Sequence, residues 1–238
     1  MARALTVRAA VAPDRQPWRL IAWAYPTLLV TFATGGRPYY PAGILLALSA
    51  AGAVVTQTWL GTGACRLALT TALLLGAAFS ALIFFPIIPA RALAKTRIPS
   101  VNSDRMETIG WPQLARTVGS VYESLPRAER RFTIVLTDNY GEAGAIDHYA
   151  PKLALPRAYS GHNGYGLWSA PLNRREPAIA VGVSRPWLPP SLLRRCRLAA
   201  RVDNGYAIDN DEQGAPVWIC RGQRGPWGRL WPRLRHLS

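Results

Sequence analysis

Acidic residues and cysteines are scarce in this chain. Of its 238 residues, 13 are Asp or Glu against 28 Lys or Arg, and the formal net charge is +15. Asp14 is the only carboxylate before Asp104, so the long stretch between them offers no acidic partner to a buried cation. A small transporter is therefore disfavoured, because transporters place ionisable groups within their membrane spans. Three cysteines are too few for a disulfide scaffold, and they lack the spacing of a metal site.

Other chemical signatures are missing as well. The chain has no glycine-rich loop that would cradle a phosphate and no convincing Ser/His/Asp arrangement for nucleophilic catalysis. The spacing of Asp138, Glu142, Asp147, His148 and His162 matches no known set of metal ligands, so no metal site is predicted. No cofactor is predicted either.

The basic excess is typical of proteins that bind nucleic acid or an anionic membrane surface. Residues 67–90 contain no charged residue, and about 20 apolar residues are enough to cross a bilayer. Residues 21–36 and 40–60 are uncharged too. We therefore predict an integral membrane α-helical segment, residues 20–90, with three transmembrane helices. The lipid bilayer is then the expected partner, and nucleic acid is not.

The charge distribution predicts an orientation in the membrane. The basic segment 1–19 should stay in the cytoplasm, because positively charged flanks are retained on that side. Three spans then place the C-terminal part outside the cytoplasm. Arg91, Lys95 and Arg97 argue the other way, but long domains are translocated largely regardless of charge. The predicted location is the cell membrane, multi-pass, with an extracytoplasmic C-terminal domain.

The pattern of the chain changes after the last apolar run. A linker is predicted at 91–110 and a folded, water-soluble domain at 111–238. Within that domain, helical and strand patterns alternate: a helix at 111–125, a buried strand at 132–136, a helix at 142–150 and a buried strand at 177–183. Such alternation predicts a small α/β domain with a mainly parallel sheet that is covered on both faces.

Two features of this domain have two interpretations each. Cys196 and Cys220 form a disulfide if the domain lies outside the cytosol, or they remain two small buried thiols. The tail 221–235 mixes arginines with Trp227 and Trp231. It either rests on an anionic membrane surface or is a solvated basic tail.

The first candidate binding segment follows the strand at 132–136. Ligands of α/β sheets bind at the carboxyl ends of the strands, where Asn139, Tyr140 and Glu142 are placed. Glu142 would repel a phosphate, so a sugar hydroxyl or an amine is the better ligand. The structural alternative is that Asn139 caps the next helix while Glu142 complements its dipole.

A second candidate segment contains His162, Asn163, Tyr165 and Trp168. It is a polar, aromatic loop of the kind that stacks on sugars, or else an ordinary surface loop.

A third candidate lies between the first two predicted spans, at Arg37, Tyr39 and Tyr40. In the predicted topology this connection is at the outer membrane face, where Arg37 would bind a lipid phosphate. The alternative is an arginine that only extends to the lipid headgroups.

Several short motifs, taken in order, resemble a known family. The resemblance begins near Trp18 and rests on segments 36–40 (GRPYY), 107–112 (ETIGWP), 137–145 (TDNYGEAGA), 156–163 (PRAYSGHN), and 202–205 with 209–214 (VDNG and DNDEQG). Together these segments are similar to the C-terminal part of bacterial membrane glycosyltransferases of the GT-C class. Those enzymes are related to dolichyl-phosphate-mannose protein mannosyltransferases and aminoarabinose transferases.

The resemblance implies a polytopic enzyme that transfers a hexosyl or aminoarabinosyl group from a polyprenyl-phosphate sugar outside the cytoplasm. The family's catalytic carboxylates lie in a first external loop, which this chain lacks, so no catalytic residue is assigned. We therefore expect the C-terminal portion or a subunit of such an enzyme, inactive alone and working with a catalytic membrane subunit. The alternative is a membrane-anchored extracytoplasmic module that binds a glycan or a protein without transferase activity.

Overall fold

A computed structural model describes residues 16–33, 42–101, 103–168, 170–172, 176–183 and 192–237. The chain divides into two compact units, Met1–Phe79 and Ser80–Ser238. Each unit is described by itself below.

The N-terminal part of the chain is helical. Its helices are α1 (Gln16–Ala33), α2 (Ala42–Trp59) and α3 (Gly63–Phe84), and the end of α3 belongs to the second unit. Of the three predicted spans, only α3 has the length and hydropathy of a membrane-crossing helix within the described residues. None of its side chains is buried, so its leucines and phenylalanines face outward.

The other two helices are less apolar at their ends. Arg19 lies within α1, and Thr56, Gln57 and Thr58 occupy the last turns of α2, whose apolar core covers only Gly43–Val54. These polar residues shorten the uninterrupted apolar stretch of each helix. A span at α3 is thus supported by length and composition, while the multi-pass arrangement stays a prediction.

The segment predicted as a linker contains three short helices: α4 (Ala90–Leu93), α5 (Ile98–Val101) and α6 (Ser103–Met106). Leu93 and Met106 are buried and pack against Ile208 of the following domain. The segment 91–110 is therefore attached to the α/β domain by a small apolar cluster of its own.

The remaining elements form the α/β domain. They are α7 (Trp111–Glu123), α8 (Arg127–Arg130), β1 (Ile134–Thr137), α9 (Tyr140–Leu153), β2 (Ala158–Ser160), α10 (Tyr165–Trp168), β3 (Ala178–Val181), β4 (Leu193–Arg201), β5 (Pro216–Gln223) and α11 (Trp227–Leu234).

The sheet has five strands in the order β2-β1-β3-β5-β4. β2, β1 and β3 are parallel, whereas β5 runs antiparallel to both β3 and β4. The prediction of a mainly parallel sheet is thus correct for the first three strands, and the sheet as a whole is mixed. The connection 202–215 between β4 and β5 contains no helix, whereas parallel neighbours are usually joined by a helical crossover.

Helices cover both faces of the sheet. On one face α7 and α9 pack against residues such as Val135 and Ile179, and on the other α11 packs against Ile134 and Leu136. Successive strand residues thus point to opposite cores, as the pleat requires. The buried side of α11 is formed by Trp227, Leu230, Trp231 and Leu234.

The tail predicted at 221–235 is therefore the end of β5 followed by a packed helix. Because Trp227 and Trp231 are buried, these two rings are unavailable to a membrane surface. A disulfide joins Cys196 on β4 to Cys220, its direct partner on β5.

Candidate ligand-binding site

The carboxyl end of β1 leads directly into α9 through a capping box. Asn139 is the N-cap residue, and its side-chain oxygen accepts a hydrogen bond of 2.8 Å from the amide of Glu142. The Glu142 carboxylate in turn accepts hydrogen bonds from the amides of Asp138 and Asn139, at 3.1 and 3.3 Å. This reciprocal arrangement satisfies amides that a helix N-terminus would otherwise leave without partners. Asn139 and Glu142 therefore form the helix cap that the sequence offered as the alternative to ligand binding.

The Glu142 carboxyl also fills the crevice where the strand order reverses, between the ends of β1 and β3. Gly182 follows β3 with a φ of +71°, and a Cβ there would stand 2.1 Å from Glu142 Oε1. This crevice is where open α/β sheets usually bind ligands. Here the protein's own carboxyl occupies it, with a side chain that is 1% exposed.

Burial raises the pKa of Glu142 to about 8. The hydrogen bond from the Asn139 amide opposes this rise, and the nearby Asp138 and Glu212 carboxyls add to it. An uncharged carboxyl needs less solvation, so the protonated form is favoured in this crevice at neutral pH. Glu142 therefore carries no full negative charge at the carboxyl edge of the sheet.

Glu212 is a second buried carboxyl at the same edge. It lies in the connection between β4 and β5, and its Oε2 has no hydrogen-bond partner among the described residues. Burial, together with the neighbouring Glu107, raises the pKa of Glu212 to about 8. Two carboxyls of this edge, Glu142 and Glu212, are thus held largely protonated at neutral pH.

Hydrogen bonds fix the loop that carries Glu212. Asn210 Nδ2 donates to the carbonyl oxygens of Met106 and Ile109, each at 2.8 Å. Asn204 Nδ2 donates to the Ile208 carbonyl at 2.7 Å, inside the loop. The loop is therefore joined to the segment that precedes α7.

An aromatic cluster lies at the carboxyl end of β2. The His162 ring is 5.0 Å from the ring of Tyr140 and stacks on His236 at 4.8 Å, with an angle of 13° between the planes. The backbone holds this stack, since the Asn163 amide donates to the His236 carbonyl at 2.9 Å and the His236 amide donates to Gly161 at 3.0 Å. Tyr140 is about half exposed, so one ring of the cluster is open to solvent.

His162 itself has unused hydrogen-bonding capacity. Neither of its ring nitrogens has a hydrogen-bond partner among the residues that the structure describes. Burial lowers the pKa of His162, and the adjacent His236 lowers it further. The neutral imidazole is favoured in this position, because burial disfavours its charged form.

Tyr165 and Trp168 have different roles although both were predicted to bind. The Tyr165 hydroxyl donates to Asp147 Oδ2 at 2.6 Å, and burial together with this bond raises the tyrosine pKa. The Ala158 amide donates to the other carboxylate oxygen of Asp147, so the three residues join α9, β2 and α10. Trp168 is exposed, and its ring lies 4.5 Å from that of Tyr165.

The structure thus brings some of the predicted residues together. Tyr140 and His162 meet, whereas Arg37, Tyr39 and Tyr40 lie outside the described residues. Sequence reasoning missed His236, which is close to His162 only in the folded chain. The one signal in the sequence was that histidine is rare, with three in the whole chain. That two of them stack is visible only in the structure.

Comparison of the chain with protein-family models, curated protein sequences and solved structures finds no match. Across the described ranges, no group of three His, Cys, Asp or Glu side chains is arranged to hold a metal ion.

Proposed function

We propose that this chain is the membrane-anchored, sugar-binding C-terminal portion or subunit of a polyprenyl-phosphate-sugar-dependent membrane glycosyltransferase. It binds the sugar at the carboxyl edge of the sheet and has no transferase activity alone. A catalytic membrane subunit supplies the reacting carboxylates, and the chain lies in the cell membrane with its α/β domain outside the cytoplasm.

One observation carries the proposal: motif segments far apart in the sequence meet at one edge of the sheet. Segment 107–112 is joined to 209–214 by the Asn210 bonds. Segment 137–145 is joined to 156–163 by the Ser160 hydroxyl, which donates to the Asp138 carbonyl at 3.2 Å.

The two pairs of segments also touch each other. A Cβ at Gly141 would stand 3.2 Å from the ring of Trp111, so α9 begins directly against that indole. Segments that resemble one family and gather at the ligand-binding edge of an α/β sheet support a shared role in binding.

The chemistry of this edge favours a neutral polyol as ligand. The half-exposed ring of Tyr140 offers an apolar face to the C–H groups of a sugar, and the His162 ring packs beside it with 5.0 Å between the ring centroids. The carboxylate of Asp211, which lies near Asp138, would repel an anion. A phosphate group would therefore bind away from this edge of the sheet.

The sugar-binding step is tested with the full chain in nanodiscs, by saturation-transfer NMR with polyprenyl-phosphate sugars and free sugars. We expect Tyr140→Ala to weaken sugar binding about tenfold, because a stacked ring is worth about 1–2 kcal/mol. Phe132→Ala is the matched control, since this exposed ring precedes β1 at the opposite edge of the sheet. Equal sugar binding by the wild type and the Tyr140 variant would contradict the proposed site. If the chain binds a protein partner but no sugar, the alternative of a membrane-anchored protein-binding module is favoured.

The absence of activity is tested separately. Between Asp14 and Asp104 the chain offers no carboxylate that could take a proton from an acceptor at the membrane. We expect no turnover of a polyprenyl-phosphate sugar by the purified chain in nanodiscs, measured by release of the polyprenyl phosphate. Release above the background of protein-free nanodiscs would overturn this part of the proposal.

A further inference from the structure

We infer that the α/β domain has a docking surface for an anionic lipid bilayer, formed by α10 and the C-terminal segment after α11. The proposal is independent of sugar binding. The surface consists of Leu167, Trp168, Pro232, Arg235 and Leu237, and it is called the α10/C-terminal surface below.

The first observation is exposed apolar area. Leu167 is 69% exposed, Trp168 66% and Leu237 86%. Leu167 and Leu237 come from distant parts of the sequence but line one open hollow of about 470 Å³, together with Pro232 and Arg235. Contiguous exposed apolar side chains of this kind mark surfaces that contact a partner or a membrane.

The second observation is the charge around this hollow. Residues 160–172 and 224–237 contain no Asp or Glu. The outward side of α11 presents Arg229 and Arg233, and Arg235 follows, all three exposed. None of these three forms an ion pair with another described residue. The surface therefore combines apolar side chains with uncompensated positive charge.

This combination selects the bilayer over other occupants. Leucine and tryptophan enter the headgroup region, and arginines attract anionic lipid phosphates. The Asp147 carboxylate on α9 already accepts a hydrogen bond from the Tyr165 hydroxyl. If α3 crosses the membrane, the domain is tethered to a bilayer and meets this surface at a high effective concentration. A second copy of the same surface would bring like charges together.

The burial of Trp227 and Trp231 does not weaken this inference, because it orients α11. Both rings point into the core, so the arginines of the same helix must face outward. The residues proposed to contact lipid are therefore Leu167 and Trp168 of α10 and Leu237 of the C-terminal segment, beside those arginines.

The test places an environment-sensitive fluorophore on Leu237→Cys in the full chain, with the exposed Cys65 replaced by serine. Emission is measured in nanodiscs of phosphatidylcholine alone and of phosphatidylcholine with phosphatidylglycerol. We expect a blue shift and quenching by spin-labelled lipid only in the anionic nanodiscs. The control probe is Arg116→Cys on α7, which covers the opposite face of the sheet and should not respond.

Charge reversal supplies the second arm. Arg233→Glu with Arg235→Glu should weaken docking at least about 25-fold, since each arginine near an anionic surface is worth about fivefold in binding. Arg116→Glu with Arg127→Glu changes the net charge equally on other surfaces and should leave the response intact.

Three results would overturn the inference. The first is an identical response of the Leu237 probe in neutral and anionic nanodiscs. The second is an equal loss in both charge-reversed pairs, which would indicate a general charge effect. The third is equal shielding of the probe in detergent without lipid, which would mean that the response does not require anionic lipid.

Discussion

Replacement of the buried Glu142 by glutamine tests whether this carboxyl is held protonated in the crevice between β1 and β3. Glutamine keeps the shape of the side chain and an oxygen that accepts hydrogen bonds from the amides of Asp138 and Asn139. It removes the group that must release a proton when the folded chain is taken to alkaline pH. The expected effect is therefore on the pH dependence of stability.

The sign follows from proton binding. In the unfolded chain the carboxyl titrates near 4.5, whereas in the folded chain burial raises the pKa of Glu142 to about 8. Between these values the folded chain holds the proton more often than the unfolded chain. Stability from this group is complete below pH 4.5, falls as the pH rises, and is fully lost above about pH 8.

The magnitude follows from the same two pKa values. At about 1.36 kcal/mol per pKa unit, the rise from 4.5 to about 8 is worth at most about 5 kcal/mol. The wild-type α/β domain should lose up to this amount of unfolding free energy between pH 5 and pH 9 through Glu142. In the glutamine variant, the free energy of unfolding should depend on pH only through other groups, such as Glu212.

The assay is urea unfolding of the full chain in nanodiscs, followed by near-ultraviolet circular dichroism of the domain's tryptophans at pH 5 to 9. Glu123→Gln, at an exposed position on α7, is the matched control and should follow the wild type. A Glu142 variant with the wild-type slope would refute the reasoning. If that variant does not fold, Glu212→Gln is the substitute, and it should flatten the same curve.

Three further predictions follow from the fold. Gly182→Ala should destabilise the domain by about 3 kcal/mol, because the new Cβ meets the Glu142 carboxyl at a positive φ, and a melting temperature equal to that of the wild type would exclude this contact. Cys196 and Cys220 should resist alkylation until reduced, and mass spectrometry that finds both labelled in the folded, unreduced chain would contradict the disulfide. Alkaline phosphatase fused after Ser238 should be active and a fluorescent protein there dark, and the opposite pair of results would reverse the proposed topology.

Local patterns in the sequence are enough to predict much of the secondary structure. The uncharged run 67–90 predicts most of α3, and Trp111-Pro112 predicts the start of α7, because each depends on neighbouring residues alone. The spacing of Asn139 and Glu142 likewise offers a helix cap as one interpretation, and the structure has that cap. A pattern over a few residues is sufficient in these cases, since the interactions involved are local.

Boundaries are less well predicted where tertiary contacts outweigh local preference. The helix expected to close at Pro151 continues to Leu153, because a proline in the last turn costs only one backbone hydrogen bond. β4 begins at Leu193, a residue that the sequence analysis assigns to no element. There the pairing with β5 supplies the backbone hydrogen bonds that decide the conformation.

The composition and the apolar runs of this sequence determine where its helices and buried strands lie, because those features depend on solvation and on near neighbours. The direction of β5, the burial of Trp227 and the stacking of His236 on His162 depend on residues that meet only when the chain folds. The same holds for Glu142, whose raised pKa reflects the closed crevice beside Gly182. Long-range packing sets the local dielectric and the neighbours of each group, and no sequence pattern of short range contains that information.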